Sequence, residues 1–320
     1  MQKQKIMGGI IGVVVGDALG LPVQFASREL RRQRPVTGME GWGSFKLPPG
    51  YWSDDSSLTL CLVESICRHE IDPADAGARF LKWYEDGYWT PTGYAFDVGN
   101  ATTEAMERMR TGIPAEKAGP NNETDNGNGA LMRILPAAIY LAEEDDTTMA
   151  AGIHLMSGIT HGHLRSKVAC CLYTMMVREL LAGATPQQAY RSLCHTQELT
   201  KLPGMVPGEL QHFTRILSGK IDELPEAEIN SDGYVIHTLE AALWCLLRND
   251  NYQDTVLEAV NLGWDTDTTA AVVGGLAGIA YGLGGIPAEW IQFLPRQEEI
   301  LELAEEFADK VINHKNSSPI

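Results

Sequence analysis

Residues 263–285 read GWDTDTTAAVVGGLAGIAYGLGG. Glycine weakens a helix by roughly 1 kcal/mol relative to alanine. So many small residues in one apolar helix therefore point to close backbone packing against other helices, in the middle of a bundle. That places Asp265, Asp267 and Thr268, at the start of this helix, on a buried and rigid element. A second acidic cluster precedes another apolar stretch far upstream: Tyr51-Trp52-Ser53-Asp54-Asp55-Ser56. Each cluster sets two carboxylates and at least one hydroxyl within a few residues. Hard divalent cations favour that ligand set, carboxylate and neutral oxygens without thiols or imidazoles.

Helical periodicity extends outward from these clusters. Residues 58–66, 74–84, 102–109, 131–141, 167–181, 186–194, 235–247, 252–262, 268–281 and 298–313 read as helices. Strand-like alternation is nearly absent. The connections are rich in Gly, Pro, Asn and Asp, notably 120–129 and 202–208. The two clusters lie near opposite ends of the chain, so one compact domain is expected rather than two. The expectation is an all-α protein, a single orthogonal multi-helix bundle with a central metal-binding cleft over residues 1–314. Residues 315–320 read as a frayed C-terminal tail.

The chain has 320 residues, 44% hydrophobic and 21% charged, the balance of a protein with a sizeable core. A net charge of −17 and a pI near 4.8 argue against nucleic-acid or anionic-membrane partners. The six cysteines form no CxxC pair and most sit among apolar residues, which suits reduced thiols and a cytoplasmic location. The apolar run at 8–15 is short, is followed at once by Asp17, and lacks a cleavage pattern, so it is not read as a signal peptide. No stretch is read as long and apolar enough to cross a bilayer, and a monomer is expected.

Each cluster has a bland reading. Ser and Asp are preferred at helix N-caps and acidic residues suit the first turn. Yet a cap needs one side-chain oxygen, and both clusters carry more. The stretch Asn126-Gly127-Asn128-Gly129-Ala130-Leu131-Met132-Arg133 is a Gly/Asn-rich loop running into a helix, suited to backbone N–H contacts with phosphate, or else an ordinary loop. Arg133 reads as a core ion-pair partner or an anion ligand. His161 and His163 could bind zinc as a pair, but no further ligand lies at metal spacing, so they read as hydrogen-bonding groups near a ligand. Phe96 to Asn100 and Ser231 to Tyr234 are turn-like segments before helices. Tyr234 is a candidate base-stacking ring or a core residue.

Taken together, these segments resemble one family, the ADP-ribosylglycohydrolases. The resemblance runs in order through nearly the whole chain: GxxxGDALGxPxxF at 12–25, SDDS at 53–56, FDxGN at 96–100, NGALMR at 128–133, THxH at 160–163, SxGYVxxTLExALW at 231–244 and LGxDTDTxAAxxGGLAG at 262–278. It implies an all-α bundle with two Mg²⁺ or Mn²⁺ ions in a central cleft. The implied ligands are Ser53, Asp54, Asp55, Asp265, Asp267 and Thr268. Asn128, Gly129, Ala130, Leu131 and Met132 would cradle a diphosphate. Ser231, Gly233 and Tyr234 would hold adenosine, with Gly99, Asn100 and His161 completing the substrate contacts. Asp97 would lie near the scissile bond, and Asp54, Asp55 or Asp97 would take the proton of an attacking water.

The family's usual Pro-x-Glu-Phe is here Pro22-Val23-Gln24-Phe25. Gln24 can donate and accept hydrogen bonds but cannot ionise. Trp264 stands where a small residue is usual and would narrow the cleft. The implied reaction is metal-dependent hydrolysis of the glycosidic bond between ADP-ribose and an acceptor, an ADP-ribosylated protein or small molecule, releasing ADP-ribose. Its rivals are a catalytically silent ADP-ribose-binding module and a metal-dependent nucleotide phosphoanhydride hydrolase.

Overall fold

In the computed structural model, which describes residues 1–195 and 199–317, the α-helices follow one another with loops and short 3-10 turns between them. They are α1 (Gln2–Gly20), α2 (Arg28–Gln33), α3 (Asp54–His69), α4 (Pro73–Asp86), α5 (Asn100–Arg110), α6 (Leu135–Tyr140), α7 (Asp146–Gly158) and α8 (Leu164–Ala182). The chain continues with α9 (Pro186–His195), α10 (Pro207–Leu210), α11 (Val235–Arg248), α12 (Tyr252–Asn261), α13 (Thr266–Tyr281), α14 (Ala288–Gln292) and α15 (Gln297–Ser317). No strand forms among the described residues; the one β-bridge pairs Gly127 with Tyr234. The all-α expectation holds.

The small residues of α13 do what their pattern implies. Helix α13 packs most extensively against α1, with α12, α11, α15 and α3 around the pair. Gly8, Gly12, Gly16 and Gly20 of α1 meet Gly278, Gly274, Ala270 and Thr266 of α13 in turn. A Cβ on Gly12 would stand 2.2 Å from the Gly274 carbonyl oxygen, so no larger residue fits at this crossing. Hydroxyls tie the seam: Tyr252 Oη donates to Gly12 O at 2.7 Å and Thr266 Oγ1 to Gly20 O at 2.8 Å.

Three expectations need correction. Helix α1 was not anticipated as a helix, and with the turn that follows it (Gln2–Val23) it is long and apolar enough to cross a bilayer, mean hydropathy 1.9. Its surroundings explain that composition: 94% of the apolar window is buried against other helices of the same chain. The helix expected over 131–141 is broken into a 3-10 turn, Leu131–Arg133, and α6. Pro136 has no N–H and suits the first turn of a new helix. Helix α15 runs through Lys315, which pairs with Glu143, to Ser317, residues expected in the tail. Residues 318–320 lie outside the described residues.

Capping residues set where the helices point. Ser53 caps α3, Asp72 caps α4 with Pro73 behind it, and Asp145 caps α7, which the sequence reading missed. Helices α3, α5, α11 and α13 all begin beside one cleft, where Asp54, Asn100, Gly233 and Asp265 line a common cavity. Their free N–H groups bias that end of the bundle toward negative charge.

Candidate active site

Three carboxylates form the floor of the cleft. Oxygens of Asp17, Asp55 and Asp267 lie within 4.8 Å of one another, and all three residues are fully buried. Asp17 comes from α1, Asp55 from the start of α3 and Asp267 from the start of α13, so the glycine seam brings the two acidic clusters together. Asp17 is saturated by donors. It accepts from Ser53 N at 3.0 Å, Ser56 N at 3.0 Å and Ser56 Oγ at 2.6 Å. It therefore fixes the 53–56 loop rather than facing the cavity. Asp55 Oδ2 accepts from Ser53 Oγ at 3.1 Å and Thr268 Oγ1 at 3.3 Å. Asp55 Oδ1 and Asp267 Oδ2 are buried without any hydrogen-bond partner.

Burial and mutual repulsion push these acids up. Asp54, Asp55 and Asp267 are raised well above the usual carboxylate range, first by burial and then by neighbouring carboxylates; burial raises Asp17 to about 6. Orphaned buried carboxylate oxygens at this spacing are the donor set of a hard divalent cation, whose charge would hold them ionised. The residues present thus fit the metal that the sequence implies.

Above the floor lies a cavity of about 570 Å³. Asp54, Asp97, Asp265 and Thr268 line it, as do Gln24, Gly99, Asn100, Asn128, Gly129, Met132, His161 and Gly233. Asp265 Oδ2 accepts from Asn128 Nδ2 at 2.6 Å, which links the second acidic cluster to the Gly/Asn-rich loop. That loop is pinned to the start of α11: Asn128 N donates to Gly233 O and Val235 N to Asn126 O, both at 3.0 Å. Gln24 is buried beside Asp97, with its Oε1 unpartnered; burial raises the Asp97 carboxyl and the Gln24 side chain draws it back down. A glutamate at position 24 would instead set a second charge beside Asp97.

His161 has a defined state. Burial and the Arg133 guanidinium push its imidazole down to about 3, so it is neutral at ordinary pH. Arg133 itself is neither an ion-pair partner nor an anion ligand. It is fully buried, donates to Met156 O at 3.1 Å and Thr160 Oγ1 at 2.7 Å, and lies over the Phe80 ring. His163 caps α8, its Nδ1 accepting from Arg165 N at 3.2 Å. The Glu123, His163 and Glu209 group around it is bridged by Arg165, at 2.7 Å from Glu123 and 3.1 Å from Glu209.

Several expected residues lie away from the cavity wall. Ala130 and Leu131 are buried in the core. Ser53 shapes the floor through Asp17 and Asp55. Ser231 positions its loop: its carbonyl accepts from Asp265 N at 2.9 Å and its hydroxyl from Arg28 at 3.3 Å. Tyr234 packs edge-on against His237, ring centroids 5.0 Å apart, with its hydroxyl 3.4 Å from Arg165. Conversely, sequence reasoning missed Asp17, Phe25, Thr102, Thr124, Asp125 and Asp232 as site residues. Asp17 had a signal: it is the single carboxylate in the otherwise apolar second half of α1.

Comparison with known proteins was made against this geometry. The family model described as ADP-ribosylglycohydrolase matches residues 1–317. The chain is 34% identical to ADP-ribosylarginine hydrolase Tri1 of Serratia proteamaculans, over 94% of this chain and 78% of that one. It is 30% identical to the ADP-ribosyl-[dinitrogen reductase] glycohydrolase of Rhodospirillum rubrum, over 92% of each. A solved structure titled ADP-ribosylglycohydrolase-related protein complex superposes with a TM-score of 0.80 at 33% identity, covering 97% of this chain and 99% of that one.

Proposed function

The chain belongs to the ADP-ribosylglycohydrolase family and is a hydrolase acting on glycosyl bonds, and within that family we propose that it cleaves the bond between C1″ of ADP-ribose and a guanidine nitrogen of an arginine acceptor. The observation that carries the reading is the charge of the cavity. Asp54, Asp97, Asp125, Asp232 and Asp265 line it, and no lysine or arginine does among the described residues. With Asp54 and Asp265 neutralised by bound ions, Asp97, Asp125 and Asp232 remain to favour a cationic acceptor. The wall also leaves the anionic diphosphate to backbone N–H groups and to a bound cation. The 34% identity to an ADP-ribosylarginine hydrolase supports the same acceptor.

Ser53, Asp54, Asp55, Asp265, Asp267 and Thr268 would hold two divalent ions, Mg²⁺ or Mn²⁺. When bound, such ions neutralise the carboxylates, anchor hydroxyl oxygens and make water more acidic. The chain's own groups do the rest. The loop at 127–129 and the N-terminus of α11 receive the diphosphate and adenosine through backbone donors. Water attacks C1″ through an oxocarbenium-like transition state. The C1″–N bond breaks and its electron pair stays on the guanidine nitrogen. Asp97, which is outside the metal-ligand set, takes the water's proton and passes it to the leaving guanidine.

Product identification tests this reading. Incubation with ADP-ribosylarginine and Mg²⁺ should release ADP-ribose and arginine. AMP with ribose phosphate would identify a phosphoanhydride hydrolase, and binding without turnover a silent module; either overturns the proposal. Asp267→Ala should lower turnover roughly 100-fold or more and abolish the Mg²⁺-dependent rise in Tm. An unchanged rise would remove Asp267 from the metal site.

A further inference from the structure

Eight non-glycine residues among those described have positive φ, and three of them line the cavity: Phe25 at 69°, Asp97 at 58° and Trp264 at 63°. Left-handed backbone costs an ordinary residue roughly 1–2 kcal/mol, and bulky residues in it cluster at functional sites. Phe25 and Trp264 are coupled. Phe25 N donates to Trp264 O at 2.7 Å and Trp264 N to Ala26 O at 2.8 Å, so the turn after α1 and the turn before α13 are stitched by reciprocal bonds. Neither ring is taken up by the core: Phe25 is 64% exposed and Trp264 53% exposed. Each therefore combines an unfavourable backbone with a large apolar face in solvent, and both faces border the carboxylate-lined cavity. Phe25 is further backed by Phe45, ring centroids 6.1 Å apart, and Phe45 by Phe96, at 5.4 Å, next to Asp97.

A flat aromatic face beside carboxylates recognises a planar, delocalised cation. Guanidinium stacks on such rings and is more weakly hydrated than an ammonium. We propose that Phe25 and Trp264 form the acceptor subsite, stacking on the guanidinium of the arginine that carries ADP-ribose, and that they set acceptor specificity. The inference rests on the arginine-acceptor reading above and adds the residues that enforce it.

The experiment compares wild type, Phe25→Leu, Trp264→Gly and Trp264→Phe on ADP-ribosylarginine and ADP-ribosylserine, with ADP-ribose affinity measured by calorimetry. Glycine accepts positive φ, so Trp264→Gly removes the ring without straining the turn. Phe25→Leu and Trp264→Gly should each lower kcat/KM on ADP-ribosylarginine roughly tenfold, chiefly through KM. They should leave ADP-ribose affinity unchanged and narrow the preference for arginine over serine. Trp264→Phe should keep most of the preference. Unchanged preference in both ring-removing variants overturns the inference while the arginine reading stands. A parallel loss of ADP-ribose affinity also overturns it, by putting the rings on the nucleotide. Wild type that cleaves ADP-ribosylserine but not ADP-ribosylarginine overturns the arginine reading and the inference together.

Discussion

The α1–α13 seam and the rim of the cavity meet the same constraint in opposite ways. Along the seam, glycine stands wherever two backbones touch, in ordinary helical conformation, and everything is buried. At the rim, glycine is absent from positions that would suit it: Phe25, Asp97 and Trp264 hold left-handed backbone, and two of them expose large rings. The seam gives up side chains to gain proximity. The rim keeps side chains at the expense of backbone comfort. Residues of the seam are thus marked by absence of bulk, and residues of the rim by its presence.

The seam is the more fragile region. Gly12→Val would drive a side chain into the Gly274 carbonyl. Overpacking typically costs about 1–3 kcal/mol and occasionally more; a backbone carbonyl cannot yield as a side chain would, so the variant should fall at the high end and melt well below wild type. A wild-type Tm would break the comparison.

The floor sits between the two regions and should show its strain through pH. Burial raises Asp17 to about 6 in the folded protein, above the ordinary carboxylate value of 3.8. The folded state then favours the neutral form. Its stabilising effect is complete below pH 4 and is lost as pH rises through about 6. In EDTA, wild type should lose on the order of 3 kcal/mol between pH 4 and 7 relative to Asp17→Asn. Mg²⁺ should shrink that loss by favouring the ionised floor. Equal pH profiles for the two proteins in EDTA would show that Asp17 is not strained. His161 runs the other way: depressed to about 3, it costs stability as pH falls below its ordinary 6.5, and it is common to both proteins, so it cancels in the difference.

The rim should respond least. Trp264→Gly replaces a strained, half-exposed residue with the one that suits its φ. It should leave Tm unchanged or raise it, by no more than about 1 kcal/mol in stability. A marked fall in Tm would make the indole a packing element and blur the contrast between the regions.

Much of this was legible in the sequence because pattern and chemistry coincided. The small residues of 270–285 implied a close helix crossing, and the paired carboxylates at 54–55 and 265–267 implied a shared site. Asp54, Asp97, Asn128 and His161 do converge on one cavity. Helix α1 was missed because a helix buried all round has no amphipathic period, and its glycines mimic a loop. Asp17 was missed with it. Helix α7 was also not anticipated; it starts where Asp145 caps the N–H groups of Thr147 and Thr148. Tyr234 lies off the cavity wall, its hydroxyl toward Arg165; an aromatic before a helix start looks alike in sequence whether it faces a ligand or a neighbouring arginine. The Phe25–Trp264 pairing depends on backbone bonds across the fold, which no local pattern encodes.

The seam also sets an order of events during synthesis. Gly20 and Thr266, joined by a hydrogen bond, are 246 residues apart. On the ribosome α1 emerges well before the helix that covers it. At elongation rates of about 5–20 residues per second, that apolar segment waits at least about ten seconds without its partner. Closure of so distant a contact is also entropically slow. The carboxylates of the floor come from these two helices and the start of α3, so the floor cannot assemble before residue 267 has emerged. A nascent chain stalled before residue 266 would therefore be both inactive and prone to aggregate, and chaperone demand in the cell should centre on α1.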